Sequence, residues 1–421
     1  MSFRLGLTSF GGPIAHVGYQ RAAFVVRHRW LDEAAFAELV ALCQALPGPA
    51  STQLMISVGR LRAGWAGALA AFVGFTLPSA VLMTLLGLAA AGATIPTEGA
   101  VAGAVAGLKA AAVAVVAQAV VAMARRLTPD APRITLAVGA GVIALAVPVA
   151  VVQPLLIVGG ALVGWAGLRR LGTGDLAAPV VAPTAGTPPG PAPPELAPPG
   201  SSEPVPDLNF PGGRQTALAL AAAWVALLVG AEVAATVTGQ PGLGFLAALV
   251  RAGALVFGGG HVVLPLLDAG VVTPGWVTPD AFLAGYGAAQ AVPGPLFSFA
   301  AYLGVVSSSG PGGVPGALLS TVAIFLPGAL LVLAALPVLR RLRGRPGVAA
   351  ALAGTNAVVV GILAAALVTP VGTGGLTSIP AVVVAAAGVA GLLTGRVPPL
   401  VVVAGSAAVM AVVGAVTAGT T

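Results

Sequence analysis

The triplet Pro-Gly-Pro falls twice inside long apolar runs, at Pro47, Gly48 and Pro49 and again at Pro293, Gly294 and Pro295. Each copy begins three residues after a glutamine, Gln44 and Gln290. Proline removes a backbone N–H and breaks an intrahelical bond, and glycine permits close approach and positive φ. "ALPGPASTQ", which ends at Gln53, and "AVPGPLFSF" therefore read as broken helices. A helix that restarts after such a break offers free N–H groups, which attract an anion. Two further glycine turns lie upstream. "FGGPIAH" carries Gly11, Gly12, Pro13 and His16, and "FGGGHVV" carries Gly258, Gly259, Gly260 and His261. The histidines suit proton coupling, because imidazole titrates near neutrality, or serve equally as neutral hydrogen-bonding groups. The amides of Gln44 and Gln290 suit substrate or backbone hydrogen bonds. The alternative for all these residues is tight helix packing through small side chains.

Other polar residues in apolar surroundings add to the set. Lys109 is the chain's single lysine and sits inside "AVAGLKAAAVAVV", where an amine attracts an anion or changes protonation. Snorkelling to a surface is its other reading. Arg60, Arg62 and Arg251 stand near segment ends, placed to screen an entering anion or to set topology. Glu38, Glu232 and Asp268 are candidate proton carriers, and Trp30 and Trp276 mark an interface. Cys43 is the one cysteine, so no intrachain disulfide forms, and the three histidines have no metal-ligand spacing. Without a P-loop, or glycines that follow a strand, nucleotide and dinucleotide chemistry have no support, and no enzyme or cofactor is expected.

The elements that position these residues follow from composition. Of 421 residues 58% are hydrophobic and 7% charged, against about 25% charged in a soluble domain. The chain reads as a polytopic all-α membrane protein. Its net charge of +7 comes from arginines in short connections, which set orientation and do not point to nucleic acid. The first residues carry no cleavage site, so no signal peptide is expected. Apolar runs cover 3–24, 36–58, 65–90, 101–124, 134–150 and 153–168, then 217–235, 243–267, 281–306, 314–338, 348–368, 379–393 and 400–416, thirteen in all. The runs at 134–150 and 153–168 are short and suit a tight hairpin. Between them and the second group, residues 171–214 hold twelve prolines and four of the chain's twelve acids, an extended linker.

The two groups repeat. At offsets of 246 to 249 residues Phe10 falls on Phe257, Trp30 on Trp276, Phe36 on Phe282, Gln44 on Gln290 and Pro78 on Pro327. The same alignment sets Lys109 against Asn356, an uncharged mate that makes the site asymmetric. An ordered series of this kind marks an internal duplication. The basic loops swap sides between copies. Arg340, Arg341, Arg343 and Arg345 follow the third helix of the second copy, whereas loop 87–100 has no basic residue. Arg125, Arg126 and Arg133 follow the fourth helix of the first copy, whereas loop 369–378 has none. The unmatched run 217–235 supplies the odd crossing that inverts the second copy, a plan common in secondary transporters. The expected organisation is a repeat at 1–170, a linker at 171–214, an extra helix at 215–240 and a second repeat at 241–421.

"FGGPIAH", Trp30, "QALPGP" and Leu77–Pro78, then "FGGGHVVLP", Trp276 and "QAVPGP", resemble the chromate ion transporter family in its long two-domain form. The resemblance covers both repeats and leaves out the linker and the extra helix. It implies a multi-pass carrier of the bacterial inner membrane that exports chromate and confers resistance, with coupling to protons or exchange with sulfate. Sulfate or another oxyanion is the rival substrate, and a non-transporting scaffold is the rival from another class. The implied partners are chromate, sulfate, protons and the lipid bilayer, with a homodimer left open.

Overall fold

The computed structural model describes residues 1–92, 98–147, 149, 151–168, 213–257, 260–338 and 346–419. Gly258, Gly259, the proline-rich segment 171–212 and the arginines at 340–345 lie outside the described residues. Among those described the fold is helical. The main elements of the first half are α1 (Ser2–Thr8), α2 (Gly12–Arg21), α3 (Glu33–Ala45), α4 (Ala50–Gly92), α5 (Gly99–Leu127), α6 (Ala131–Ala146) and α7 (Val152–Gly167). Then come α8 (Arg214–Thr238), α9 (Pro241–Leu255), α10 (Val263–Leu267), α11 (Pro279–Ala289), α12 (Phe299–Val306), α13 (Gly313–Ala335), α14 (Pro346–Ala366), α15 (Ile379–Leu393) and α16 (Pro399–Ala418).

Local chemistry sets the helix starts. Asp32 Oδ1 accepts from Ala35 N–H at the start of α3, and Thr278 Oγ1 accepts from Ala281 N–H at the start of α11. Each cap satisfies a donor that has no intrahelical partner. The 43 residues of α4 are not straight. Ala63 and Gly64 leave helical geometry, Gly64 at φ 62°, and the two arms fold back so closely that a Cβ on Gly59 would lie 2.3 Å from Gly67 O.

Thirteen full crossings overcounts. Among the described residues six helices are long and apolar enough to cross a membrane: Ala50–Gly92, Gly99–Leu127, Arg214–Thr238, Gly313–Ala335, Gly347–Gly375 and Pro399–Ala418. The reason is breakage. The run 3–24 divides at Ser9 to Gly11, 36–58 at Leu46 to Pro49, 243–267 after Leu255, and 281–306 between Ala289 and Phe299. At 1.5 Å per residue the pieces reach about 10–25 Å, short of the ~30 Å hydrocarbon core. The short helices α6 and α7 fall in the same class.

Glycines bring the long helices together. Along α5, Gly103 and Gly107 lie against Met410 and Ser406 of α16, where added Cβ atoms would come within 2.0 Å and 2.3 Å of their carbonyl oxygens. This is the small-residue packing expected in lipid, where apolar side chains gain little by leaving the solvent. Large apolar side chains such as Leu69, Val138, Leu162, Leu318 and Val412 point outward from the bundle. Only 6% of the α8 span is buried, so that helix lies at the periphery. An apolar exterior over long helices fits a multi-pass membrane protein.

Candidate functional site

The two Pro-Gly-Pro turns meet the opposite half of the chain. Both glycines adopt positive φ, 121° at Gly48 and 102° at Gly294, a region that L side chains rarely enter. Gly48 N–H donates to Val256 O at 2.8 Å, and Gly294 N–H donates to Ser9 O at 2.8 Å. The acceptors are the residues just before Phe257 and Phe10, so each turn is tied to the other half's glycine motif. The contacts are close on both sides. A Cβ on Gly48 would lie 2.8 Å from Gln53 Nε2 and 3.0 Å from Gly328 Cα, and one on Gly294 would lie 2.8 Å from Ser79 Oγ.

These bonds alter the chemistry expected of the turns. The N–H groups of Gly48 and Gly294 already have carbonyl acceptors and do not face a ligand. Thr52 N–H and Gln53 N–H both return to Pro49 O at 2.9 Å. The first-turn donors of Ala50 and Ser51 in α4 therefore remain without an intrahelical acceptor. Side chains supply the rest of the site.

A buried polar chain runs through the first half. Gln20 Nε2 donates to Ser51 O at 2.9 Å. His16 Nε2 lies 3.1 Å from Ser9 O, and because a carbonyl only accepts, this nitrogen carries the proton. In the neutral ring Nδ1 then accepts from Ser51 Oγ at 3.3 Å. His16 also meets Phe75 edge-on, with centroids 5.7 Å apart. Gln53 Nε2 donates to Pro47 O at 2.8 Å and to Gly328 O at 3.1 Å, joining the turn to α13. Ser57 Oγ donates to Gln53 O at 2.8 Å, and Ser79 and Ser298 share a 2.6 Å hydroxyl contact across the halves.

Several oxygens in this region have no partner. Ser9 Oγ, Gln20 Oε1, Thr52 Oγ1, Gln53 Oε1 and Thr76 Oγ1 are all buried without a hydrogen bond. Gln20 and Gln53 are 0% exposed. A buried polar atom without a partner costs about 1–3 kcal/mol, so five on neighbouring elements mark a place for water or a ligand. Apart from Gln53 these residues carried no motif. The signal available in the sequence was only that Ser9, Gln20, Ser51, Thr52, Thr76 and Ser79 interrupt apolar runs.

The other candidate residues divide. Gly11 and Gly12, at φ 93° and 76°, make the break before α2 and, with Pro13, lie at its start. Gln44 is half-buried near the end of α3. In the second half Pro295 O accepts from Ser298 N–H at 3.0 Å, and Pro293 is buried. Gly260 and His261 form a short 3-10 turn, and His261 Nδ1 lies 3.0 Å from Tyr286 Oη. Gln290 Nε2 is buried without a partner. Lys109 Nζ contacts Asp280 Oδ1 at 2.8 Å, and with the Asp280 side chain 76% exposed the pair sits at an edge of the bundle. Asn356 is half-buried on α14, which packs between α6 and α7. Neither residue is joined by a hydrogen bond to the Pro-Gly-Pro turns.

The charged candidates are held elsewhere. Arg251 pairs with Glu232, which accounts for both charges. The buried Arg60 lies 4.3 Å over the Trp65 ring, and Arg62 lies 5.0 Å over Trp30. Trp30 stacks on Phe24, and Trp276 packs against Phe245. Asp268 lines a separate cavity with Gln153 and Thr273, and Cys43 is buried in apolar packing.

Residues 1–165 and 243–412 match the family described as "Chromate transporter". The chain is 29% identical to the chromate transport protein of Pseudomonas aeruginosa over 77% of its own length and 68% of the relative's. It is 25% identical to the probable chromate transport protein of Synechococcus elongatus over 87% and 81%. To the chromate transport protein of Cupriavidus metallidurans it is 25% identical over 87% and 80%. No solved structure gives a significant match. The two matched stretches include both glycine motifs and both Pro-Gly-Pro turns, and omit the proline-rich segment and α8. By these matches over most of its length, the chain belongs to the chromate transporter family.

Proposed function

We propose that the chain carries chromate out of the cytoplasm by secondary active transport and so confers chromate resistance. The observation that carries this reading is the group of buried, unpartnered oxygens of the first half, on Ser9, α2 and α4, which adjoins both Pro-Gly-Pro turns. The hydroxyls of Ser9, Thr52 and Thr76 and the first-turn N–H groups of α4 can donate to a tetrahedral dianion. Gln20 Oε1 and Gln53 Oε1 accept, so each holds a water that donates its second hydrogen to the ion. Broken helices around a site of this kind are the usual arrangement of secondary carriers.

In this reading 1–170 and 241–421 are inverted repeats, joined by the linker at 171–214 and the crossing at 215–240. They rock about the crossed Gly48 and Gly294 contacts, and Lys109, His261 and Asn356 line the outer path. A proton gradient supplies the drive. A scaffold without transport would need the turns for packing alone, and packing gives no use for five buried oxygens without partners. Sulfate exchange is the second reading, because neutral hydrogen-bond donors do not distinguish chromate from another tetrahedral dianion.

Vesicles containing the purified chain are expected to move labelled chromate, with sulfate as a competitor and with a rate that responds to an imposed proton gradient. Movement of sulfate alone selects the second reading. Movement of neither ion under gradients of both signs selects the scaffold. Inversion has its own test. Cysteines placed by Gly92→Cys and Thr377→Cys should react with an impermeant reagent from outside the cell, and one at Arg343→Cys only from inside. Native Cys43 is buried and gives little background. Labelling of Gly92→Cys and Thr377→Cys from opposite sides would remove the inverted arrangement.

A further inference from the structure

The two broken turns agree in backbone and differ in side chains. At the offsets that align the motifs, Ser9 falls on Val256, Ser51 on Phe297, Gln53 on Phe299 and Thr76 on Phe325. A one-residue shift lies between the glycine motif and Trp30. Wherever it is placed, His16 falls on Val262 or Val263 and Gln20 on Leu266 or Leu267. Within this set Thr52 alone keeps a polar counterpart, Ser298, whose hydroxyl is held by Ser79 at 2.6 Å; outside the set Gln44 keeps Gln290.

The apolar counterparts are buried throughout, with Val256, Val263, Leu267 and Phe299 at 0% exposure. Their rings interlock. Phe297 and Phe325 have centroids 5.8 Å apart, and Phe299 meets Phe282 at 5.4 Å, Tyr286 at 5.8 Å and Tyr302 at 5.9 Å. Aromatic rings in such contact fill the space that hydroxyls and amides line in the first half.

We infer that the chain holds a single oxyanion, among the first half's buried polar side chains, and that the matching apolar side chains of the second half form a filled fulcrum against which the first half moves. This inference rests on the oxyanion-transport reading and assigns the two halves different work. The ligand class is a tetrahedral dianion whose oxygens only accept, since the unpartnered groups of the first half include three hydroxyls and two backbone N–H groups.

Calorimetric titration of the full chain in detergent, with chromate and separately with sulfate, tests it. The expected result is one equivalent bound per chain. Thr52→Val and Ser9→Ala should each weaken binding about tenfold, the effect of one lost hydrogen bond to a charged ligand. Ser320→Ala, which removes a buried, unpartnered hydroxyl of the second half on α13, should leave affinity unchanged. Two equivalents per chain, or equal weakening by Ser320→Ala and Thr52→Val, would overturn the single site while leaving oxyanion transport intact. A wild-type chain that binds neither ion overturns both. The stoichiometry is read on the wild type, so it stands even where a variant folds poorly.

Discussion

Gly48→Ala and Gly294→Ala should each abolish most flux in vesicles while the chain still inserts. Two costs add at each position. An L residue at φ 121° or 102° is strained by about 1–3 kcal/mol. The new methyl also meets Gln53 Nε2 and Gly328 Cα at one turn, or Ser79 Oγ and Cβ at the other, all within 3.0 Å. Relief of that overlap moves the turn away from the opposite half, which lengthens the 2.8 Å bonds from Gly48 N–H to Val256 O and from Gly294 N–H to Ser9 O. Each ~1.4 kcal/mol placed on the barrier between states is tenfold in rate. Gly12→Ala separates the two causes. It is equally left-handed at φ 76°, yet its Cβ would meet nothing within 4 Å. Its expected loss is the smaller one that strain alone produces. Equal losses in all three variants would show that close contact between the halves does not matter.

Backbone breaks were legible in the sequence because they need particular residues. Proline and glycine at 47–49 and 293–295 have few uses inside an apolar run, and the structure breaks both helices there. The number of crossings was not legible in the same way. An apolar run records how much chain avoids water, not whether it stays straight, and 243–267 reads as one segment although its helix ends at Leu255. Side-chain lining was harder still. A threonine in an apolar helix ordinarily donates to the carbonyl four residues back, as Thr84 does to Ala80 O and Thr321 to Ala317 O, both at 2.7 Å. Thr52 and Thr76 make no such bond. Thr52 follows the Pro-Gly-Pro break so closely that the carbonyl four residues back, on Gly48, lies outside the helix; nothing in the spacing separates Thr76 from Thr84 and Thr321, because there the difference lies in what the neighbouring elements leave open. Lys109 shows the same limit from another side. Its position inside α5 is as expected, but its partner Asp280 lies 171 residues away and becomes visible only when α11 packs against α5.

Gln53→Glu is the strongest test of how the two halves are joined. The substitution keeps the shape of the side chain and replaces the donor amide with a carboxylate. Gln53 Nε2 now serves Pro47 O at 2.8 Å and Gly328 O at 3.1 Å. A carboxylate offers neither bond and sets a negative oxygen against two carbonyl oxygens at a position with 0% exposure. Each buried carbonyl left without its donor costs about 1–3 kcal/mol, and the unpaired buried charge costs more. Flux at neutral pH should fall to background, and the melting temperature in detergent should drop. Gln53→Leu removes the donor without adding charge and should be milder. Acid should separate the two variants, because the introduced carboxyl, once protonated, can donate to one of the two carbonyls. Stability of Gln53→Glu should therefore recover toward the Gln53→Leu level as pH falls, while Gln53→Leu stays flat. A Gln53→Glu chain as active and as stable as the wild type at neutral pH would mean that the bridge from the first turn to α13 is not part of the working structure.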